Sequence, residues 1–155
     1  MRKSKISRKT KETQIAVSLA VDGTGKAEVN TGVGFFDHML SHLARHGLMD
    51  IAITAKGDLH IDPHHTVEDV GICLGKALLE ALGDAKGMTR FGHAVVPMDE
   101  ALAEAAVDIS GRPFLSFNAD LPCGRVGEFD IELTEEFLRA LSVNARMTVH
   151  IVLRY

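Results

Sequence analysis

The stretch "DHMLSHLARHGLMDIAI", residues 37–53, decides the fold, because "EEFLRALSVNARMTVHI" at residues 135–151 aligns with it without a gap. Apolar positions coincide along the alignment: Leu40 matches Leu138, and Ile53 matches Ile151. In both stretches a helical spacing of apolar residues is followed by the alternation of a strand. The sequence therefore predicts an α+β fold made by tandem duplication of one small unit, a sheet with two helices.

The elements around this repeat follow the same order in both halves of the 155 residues. We therefore predict a first α+β repeat at residues 1–88 and a second at residues 89–155. "DGTG" between two strands is typical of a hairpin turn, which would make "KAEVN" the return strand. The predicted strands are 13–21, 26–30, 50–57, 104–110, 114–120 and 147–155, and the predicted helices are 35–47, 62–83 and 133–145.

The helix at residues 62–83 has a strong start signal, with Asp62 as N-cap and Pro63 at the first helical position, and Gly83 ends it. The second half has no counterpart of this helix, because the sequence ends at Tyr155, just after the matching strand. The second copy is thus predicted to be incomplete, with an uncovered apolar face on its sheet. We interpret the chain as a fragment.

The composition is that of a globular protein, with 46% hydrophobic and 25% charged residues. The net charge of −4 argues against a nucleic-acid partner.

The basic start "MRKSKISRKTKE" lacks the apolar run of a signal peptide or membrane span, and we interpret it as a solvated arm leading into a strand. Cys73 lies in an apolar run and Cys123 in a loop, so that a disulfide framework is not indicated and a cytoplasmic location is predicted.

The ten residues "IDPHHTVEDV", 61–70, combine adjacent histidines with adjacent acids. On a helix, His64 lies above Glu68 and His65 above Asp69, and each row offers the imidazole and carboxylate that suit Mn²⁺, Fe²⁺ or Zn²⁺. The rows diverge by roughly 100°, so the two histidines could serve two ions. The helix N-terminus also favours neutral imidazole at both positions. The alternative is an ordinary first helical turn with two exposed histidines.

Other polar residues extend this hypothesis. His38 and His42 stand four apart on the face opposite the apolar stripe of their helix, where they could chelate a metal or be solvated. His46 precedes Gly47 and could equally contribute to the end of that helix. Arg90 and Arg112 each lie beside a glycine turn and could share a phosphate, or could be surface residues.

Seven segments in this order resemble the imidazoleglycerol-phosphate dehydratases of histidine biosynthesis: "RKTKET", "DGTGK", "TGVGFFDHML", "GDLHIDPHHTVEDV", "RFGHAVVPMDEAL", "DISGRPF" and "MTVHI". The resemblance covers almost the whole chain. It implies a duplicated fold similar to domain 2 of ribosomal protein S5 and two Mn²⁺ ions per complete site. It also implies assembly from trimers into a 24-subunit shell, with sites between subunits.

The resemblance assigns roles to particular residues. It implies metal ligation by His38, His64, His65 and Glu68, and substrate contacts by these four and by Glu12, His46, Arg90 and Arg112. Glu12, His64 and Glu68 would be catalytic, with Glu12 moving protons. Glu136 stands where some members have a metal-binding histidine, and a carboxylate also suits Mn²⁺. The family's second HHxxE motif and its serine and lysine phosphate contacts would follow Tyr155, so that a truncated chain would be inactive.

The implied reaction is the metal-dependent dehydration of imidazole-glycerol phosphate to imidazole-acetol phosphate. The metals would act as Lewis acids and as templates for the substrate. Two alternatives stay open from the residues alone: a metal-dependent phosphoesterase and a non-catalytic metal-binding module. Only the dehydratase forms a ketone without releasing phosphate.

Overall fold

The computed structural model describes residues 2–155, which form two four-stranded sheets and three helices. The first sheet has the strand order β1-β2-β4-β3 and the second the order β5-β6-β10-β7. The strands are β1 Lys3–Lys9, β2 Gln14–Ala20, β3 Ala27–Asn30, β4 Asp50–Lys56, β5 Phe91–Met98, β6 Ala101–Asp108, β7 Phe114–Asn118, β8 Arg125–Val126, β9 Phe129–Asp130 and β10 Thr148–Leu153. The helices are α1 Gly34–Gly47, α2 His64–Leu82 and α3 Leu133–Ala145.

The two sheets repeat one topology, as the self-alignment predicted. In each, the first two strands pair antiparallel, and the second strand then pairs antiparallel with the last. The third strand pairs in parallel with the last, through α1 in the first half and α3 in the second. The duplicated α+β fold is thus confirmed, whereas the division at residues 88 and 89 stays a prediction. The small hairpin of β8 and β9 was not predicted, and neither was β5.

The basic N-terminal segment is not a solvated arm; that prediction was wrong. Residues 3–9 form β1, which pairs with β2 from Lys3 opposite Ala20 to Lys9 opposite Gln14. The lysines point outward, while Ser4 is buried and its hydroxyl donates to the carbonyl of Ala77 in α2 at 2.7 Å. A serine at an inward position weakens the apolar alternation from which a strand is usually recognised.

The "DGTG" segment does not form a hairpin, contrary to prediction. β4 inserts between β2 and β3, and β3 pairs with β4 in parallel. The turn instead wraps the start of β4: the Asp50 carboxylate accepts the backbone N–H groups of Thr24 at 2.7 Å and Lys26 at 3.0 Å. A Cβ on Gly23 would lie 2.3 Å from the Asp50 nitrogen, so only glycine fits this approach.

The longest helix, α2, lies in the centre of the molecule. One side packs on β1 and β2, and another packs along α3. Gly71 and Gly75 allow the close approach to α3, because a Cβ at Gly75 would lie 2.7 Å from the carbonyl oxygen of Leu141. The main core joins both halves, since Phe129 and Leu133 pack with residues of the first sheet.

The second sheet carries exposed apolar side chains on β5. Phe91 is 63% exposed, Val96 59% and Met98 74%. The first sheet, by contrast, buries Ile15 and Val17 of β2 beneath its helices. Within residues 2–155, no helix is long and apolar enough to cross a membrane.

Candidate active site

The start of α2 presents the histidine–acid motif at the protein surface. The helix begins one residue later than predicted, with Pro63 rather than Asp62 as the N-cap. Asp62 Oδ1 still accepts the backbone N–H of His64 at 2.7 Å. The rings of His64 and His65 are 6.0 Å apart between centroids and stand at 87°. His64 Nε2 lies 4.0 Å from Glu68 Oε2, so this predicted row is present. The prediction that the two histidines serve two ions stays a prediction.

The partner of His65 is Asp58, not Asp69. His65 Nδ1 lies 2.9 Å from Asp58 Oδ2, on the loop that connects β4 to α2. This hydrogen bond raises the pKa of His65 and lowers that of Asp58, which corrects the expectation that the helix N-terminus would dominate at His65. The bond occupies Nδ1 and leaves Nε2 of the half-exposed ring as the nitrogen that can ligate.

Asp69 points away from the surface, so the predicted His65–Asp69 row is wrong. Its side chain is only 9% exposed and accepts hydrogen bonds from Arg8 Nε at 2.8 Å and from the Thr13 hydroxyl. The reason is the angle of about 100° between successive helical residues, which turns Asp69 toward β1 while Glu68 remains at the surface. Glu68 is 39% exposed at its side chain.

Glu12 lies in the turn between β1 and β2, next to the start of α2. Its negative charge contributes, after Asp58, to the raised pKa of His65. The side chain is exposed, while the backbone N–H of Glu12 donates to Thr10 Oγ1 at 3.1 Å. The structure thus brings Glu12, His64, His65 and Glu68 to one surface.

The histidines of α1 form a separate row on that helix. The rings of His38 and His42 are 4.2 Å apart between centroids, and those of His42 and His46 are 5.4 Å apart. Desolvation and the neighbouring positive groups, His38 first among them, lower the pKa of His42. All three histidine side chains are exposed at the surface. Glu136 is at the corresponding place on α3, in its first turn and half-buried.

The two arginines flank the carboxylate of Asp108 on the second sheet. Arg90 forms a bidentate pair with Asp108 at 2.6 and 3.0 Å, and its guanidinium lies 4.8 Å from the centre of the Phe91 ring. Arg90, first by hydrogen bonding, and Arg112, by its charge, lower the pKa of Asp108. Arg112 is exposed, and its side chain forms no ion pair with any of residues 2–155. The arginines therefore lie near each other, and Arg112 can accept an anion without first breaking an ion pair.

No three histidine, cysteine, aspartate or glutamate side chains of residues 2–155 converge on a single point where a metal ion could be held. The donor chemistry nevertheless fits a divalent ion shared with further ligands. His65 offers its Nε2 to a metal ion, while the Asp58 carboxylate holds the other ring nitrogen, Nδ1. This arrangement is typical of metal-binding histidines. His64 and Glu68 offer a second, two-donor face of imidazole and carboxylate.

Comparison with known proteins decides the family. A profile of the imidazoleglycerol-phosphate dehydratase family matches residues 31–155. The chain is 58% identical over 154 residues to the imidazoleglycerol-phosphate dehydratase of Symbiobacterium thermophilum, and 55% identical over 154 residues to that of Acetivibrio thermocellus. These alignments cover 99% of the chain, and 74% and 79% of the two relatives. The chain belongs to the imidazoleglycerol-phosphate dehydratase family.

Solved structures of the family have the same fold. The imidazoleglycerol-phosphate dehydratase of Staphylococcus aureus matches with a TM-score of 0.86 and 46% identity, over 97% of this chain and 82% of that one. The Pyrococcus furiosus enzyme, in complex with (S)-C348, matches with a TM-score of 0.82 and 40% identity, over 96% and 79%. The chain is thus a hydro-lyase that dehydrates imidazoleglycerol phosphate in histidine biosynthesis.

Two polar residues near the dehydratase motif were not predicted as parts of the site. Asp58 stands seven positions before His65, across a loop whose path has no periodic signal. Thr13, whose hydroxyl meets Asp69, lies at the start of a predicted strand and gave no indication of a distant partner. The one signal in the sequence was the pair of adjacent acids, Glu68 and Asp69, which could have indicated that the second carboxylate binds elsewhere in the fold.

Proposed function

We propose that this dehydratase works with two Mn²⁺ ions per complete site, and that the start of α2 supplies one part of their ligands. His64, His65 and Glu68 would be ligands from this surface, with His38 and Glu136 as ligands from the two equivalent helices. The observation that carries the proposal is the fixed ring of His65, because Asp58 binds Nδ1 and leaves Nε2 of this half-exposed ring as the nitrogen that can ligate.

When bound, Mn²⁺ would supply Lewis-acid polarisation and a template for the imidazole ring of the substrate. The dehydration itself requires loss of one hydroxyl and of the proton on the neighbouring carbon. Glu12 would take that carbon proton and deliver a proton to the leaving hydroxyl, which departs as water. The enol formed in this way becomes the ketone of imidazole-acetol phosphate when its hydroxyl proton moves to carbon. His64 and Glu68 would hold the reacting end of the substrate through the metal site.

The opposite end of the substrate carries a phosphate, for which Arg90 and Arg112 are the proposed partners. Two planar guanidinium groups close to one another can bind the oxygens of a phosphate from two directions. His46, at the exposed end of the histidine row on α1, would complete the substrate contacts together with His38.

The proposed ligands lie on three helices and do not converge within residues 2–155, and about half of each histidine side chain of α2 is exposed. Ligands from another subunit would complete such a set, which supports self-association into trimers and, with metal, a 24-subunit shell. Both cysteines are free thiols, which supports the proposed cytoplasmic location.

The experiment is a turnover assay with imidazoleglycerol phosphate on the enzyme with complete, Mn²⁺-loaded sites, comparing the wild type with Glu12→Gln. We expect loss of turnover by roughly 100-fold or more in the variant, with unchanged Mn²⁺ content. Glu80→Gln, an exposed change on the far part of α2, is the control and should behave as wild type. Ketone formation without phosphate release excludes the phosphoesterase, and turnover excludes a binding module. Normal turnover in Glu12→Gln would remove Glu12 from the mechanism.

A further inference from the structure

Asp69 is a carboxylate that the proposed chemistry does not use, although it follows Glu68 directly. Its side chain is 9% exposed, and it lies on the side of α2 that faces β1. A buried carboxylate is costly unless charged and hydrogen-bonded partners offset the loss of water. The partners of Asp69 therefore indicate why this position is acidic.

Both partners of Asp69 come from the segment that carries Glu12. Arg8, near the end of β1, donates from Nε to Oδ1 at 2.8 Å, and the hydroxyl of Thr13 donates to Oδ2. Thr13 is only 4% exposed. The carboxylate thus binds Arg8, just before the four-residue turn 10–13, and Thr13, the last residue of that turn, across 61 and 56 positions of sequence.

Hydrogen bonds inside the turn then fix the backbone of Glu12. Thr10 Oγ1 accepts the N–H of Glu12 at 3.1 Å and the N–H of Thr13 at 2.9 Å. The N–H of Thr10 donates to the carbonyl of Thr13 at 2.9 Å, and the two threonine hydroxyls lie 3.2 Å apart. Asp69 therefore holds the turn at Thr13, and Thr10 links the backbone of Glu12 to that anchored residue.

We propose that Asp69 is a positioning residue that holds the Glu12 turn in a fixed place relative to His65 and Glu68. Asp69 is one residue after Glu68 and one helical turn after His65, so a single carboxylate ties the proposed acid–base group to the proposed ligands. This inference rests on the proposed role of Glu12. It explains why the motif continues with a second acid that faces inward.

The test removes the Thr13 contact with little change of shape. Thr13→Val deletes the hydroxyl, Thr13→Ser retains it, and Asp69→Asn retains the size of the carboxylate without its charge. Thr54→Val, at an exposed position of β4, is the matched control. Amide hydrogen exchange is measured at residues 10–13 and along α2, and kcat and KM are measured on the Mn²⁺-loaded protein.

For Thr13→Val we expect exchange at Glu12 and Thr13 to accelerate by about tenfold, as for the loss of one hydrogen bond to a charged group. Exchange in the interior of α2 should stay unchanged. We expect kcat to fall by roughly 10- to 100-fold, with unchanged KM and Mn²⁺ content, because small displacements of a reacting group cost this much. Asp69→Asn should likewise accelerate exchange at Glu12 and Thr13 and lower kcat, whereas Thr13→Ser should keep the kcat of the wild type.

Normal kcat in Thr13→Val, while Glu12→Gln loses turnover, would overturn the role of Asp69 alone. Faster exchange throughout α2 in Thr13→Val would also overturn it, since Asp69 would then stabilise the fold in general. Normal turnover in Glu12→Gln would overturn the proposed function of Glu12, and this inference with it.

Discussion

Asp58 fixes the ring of His65 from behind, with Oδ2 2.9 Å from Nδ1. The Asp58 side chain is 10% exposed, while that of His65 is 47% exposed, so a half-exposed imidazole is anchored on a largely buried carboxylate. Such a carboxylate fixes both the tautomer and the direction of a histidine ligand. The relationship gives the outer surface of α2 a preorganised nitrogen donor.

Replacing Asp58 by asparagine should weaken Mn²⁺ binding. The amide of asparagine lacks the negative charge by which the Asp58 carboxylate makes His65 a stronger metal ligand. We therefore expect the dissociation constant for Mn²⁺ to rise by roughly 10- to 100-fold. Titration calorimetry on the assembled protein measures it. Asp84→Asn, an exposed change at the end of α2, is the control, and equal affinities in both variants would contradict the role of Asp58.

Removing Arg112 should weaken phosphate binding more than removing Arg90. Arg112 is free of ion pairs within residues 2–155, whereas Arg90 must first leave Asp108. We expect inhibition by inorganic phosphate to weaken by about tenfold in Arg112→Ala, as for the loss of a charged hydrogen bond, and by less in Arg90→Ala. The inhibition constant for phosphate in the turnover assay gives both values.

Two further variants make this phosphate prediction specific. Asp108→Asn releases Arg90 and removes a negative charge, so that phosphate should inhibit more strongly. Arg139→Ala, which changes an exposed arginine of α3, should have no effect. If phosphate inhibits Arg90→Ala and Arg112→Ala as well as the wild type, the arginines do not bind phosphate.

The duplicated fold was predictable because its signal is long. Seventeen aligned positions carry two periodicities in the same order, and the helix boundaries at Gly83 and Asp62 have local chemistry of their own. The insertion of β4 between β2 and β3 was not predictable in this way. It results from the pairing of β4 with both β2 and β3, and the contact of the Asp50 carboxylate with Lys26, 24 residues earlier in the chain, has no local pattern that would indicate it.

Within the candidate site, the contacts that were predicted correctly are those between residues one turn apart on the same helix. The spacing of His64 and Glu68 follows from helical geometry. The partners of His65 and Asp69 come from loops and strands elsewhere, so the sequence rule that pairs residues four apart chose the wrong acid. Tertiary contacts decide which of two neighbouring carboxylates faces the surface.

Replacing Gly75 by alanine should destabilise the protein by separating α2 from α3. The added Cβ would lie 2.7 Å from the Leu141 oxygen and 3.0 Å from the Ala145 nitrogen, and a backbone must move to accommodate it. We expect a cost of about 1–3 kcal/mol from overpacking, offset by up to about 1 kcal/mol of better helix propensity. The melting temperature should therefore fall.

Gly34→Ala provides the matched control for that measurement, since it adds the same methyl group to the first residue of α1, where a Cβ meets nothing within 4 Å. Its melting temperature should equal or exceed that of the wild type. A Gly75→Ala variant that melts with the control would show that α2 and α3 can separate without cost.

The two cysteines should differ sharply in reactivity. Cys73 is fully buried in α2, and burial raises the pKa of its thiol to about 11, whereas Cys123 is exposed in a loop. The thiolate is the species that reacts with iodoacetamide. At pH 8 the folded protein should therefore be alkylated at Cys123 and spared at Cys73, as measured by peptide mass spectrometry. Unfolding in guanidinium should expose both residues to the reagent.

The same burial sets the direction of a pH dependence. Because folding raises the pKa of Cys73, the folded state favours the neutral thiol, and this contribution to stability is complete below the ordinary cysteine pKa. This contribution is lost as the pH rises toward 11, because Cys73 ionises in the unfolded chain at a pH where it stays a neutral thiol in the folded chain. Cys73→Ala should consequently show a smaller loss of stability than wild type between pH 8 and pH 10 in denaturant titrations. Equal slopes for the two proteins, or alkylation of Cys73 at pH 8 as fast as that of Cys123, would contradict the burial of the thiol.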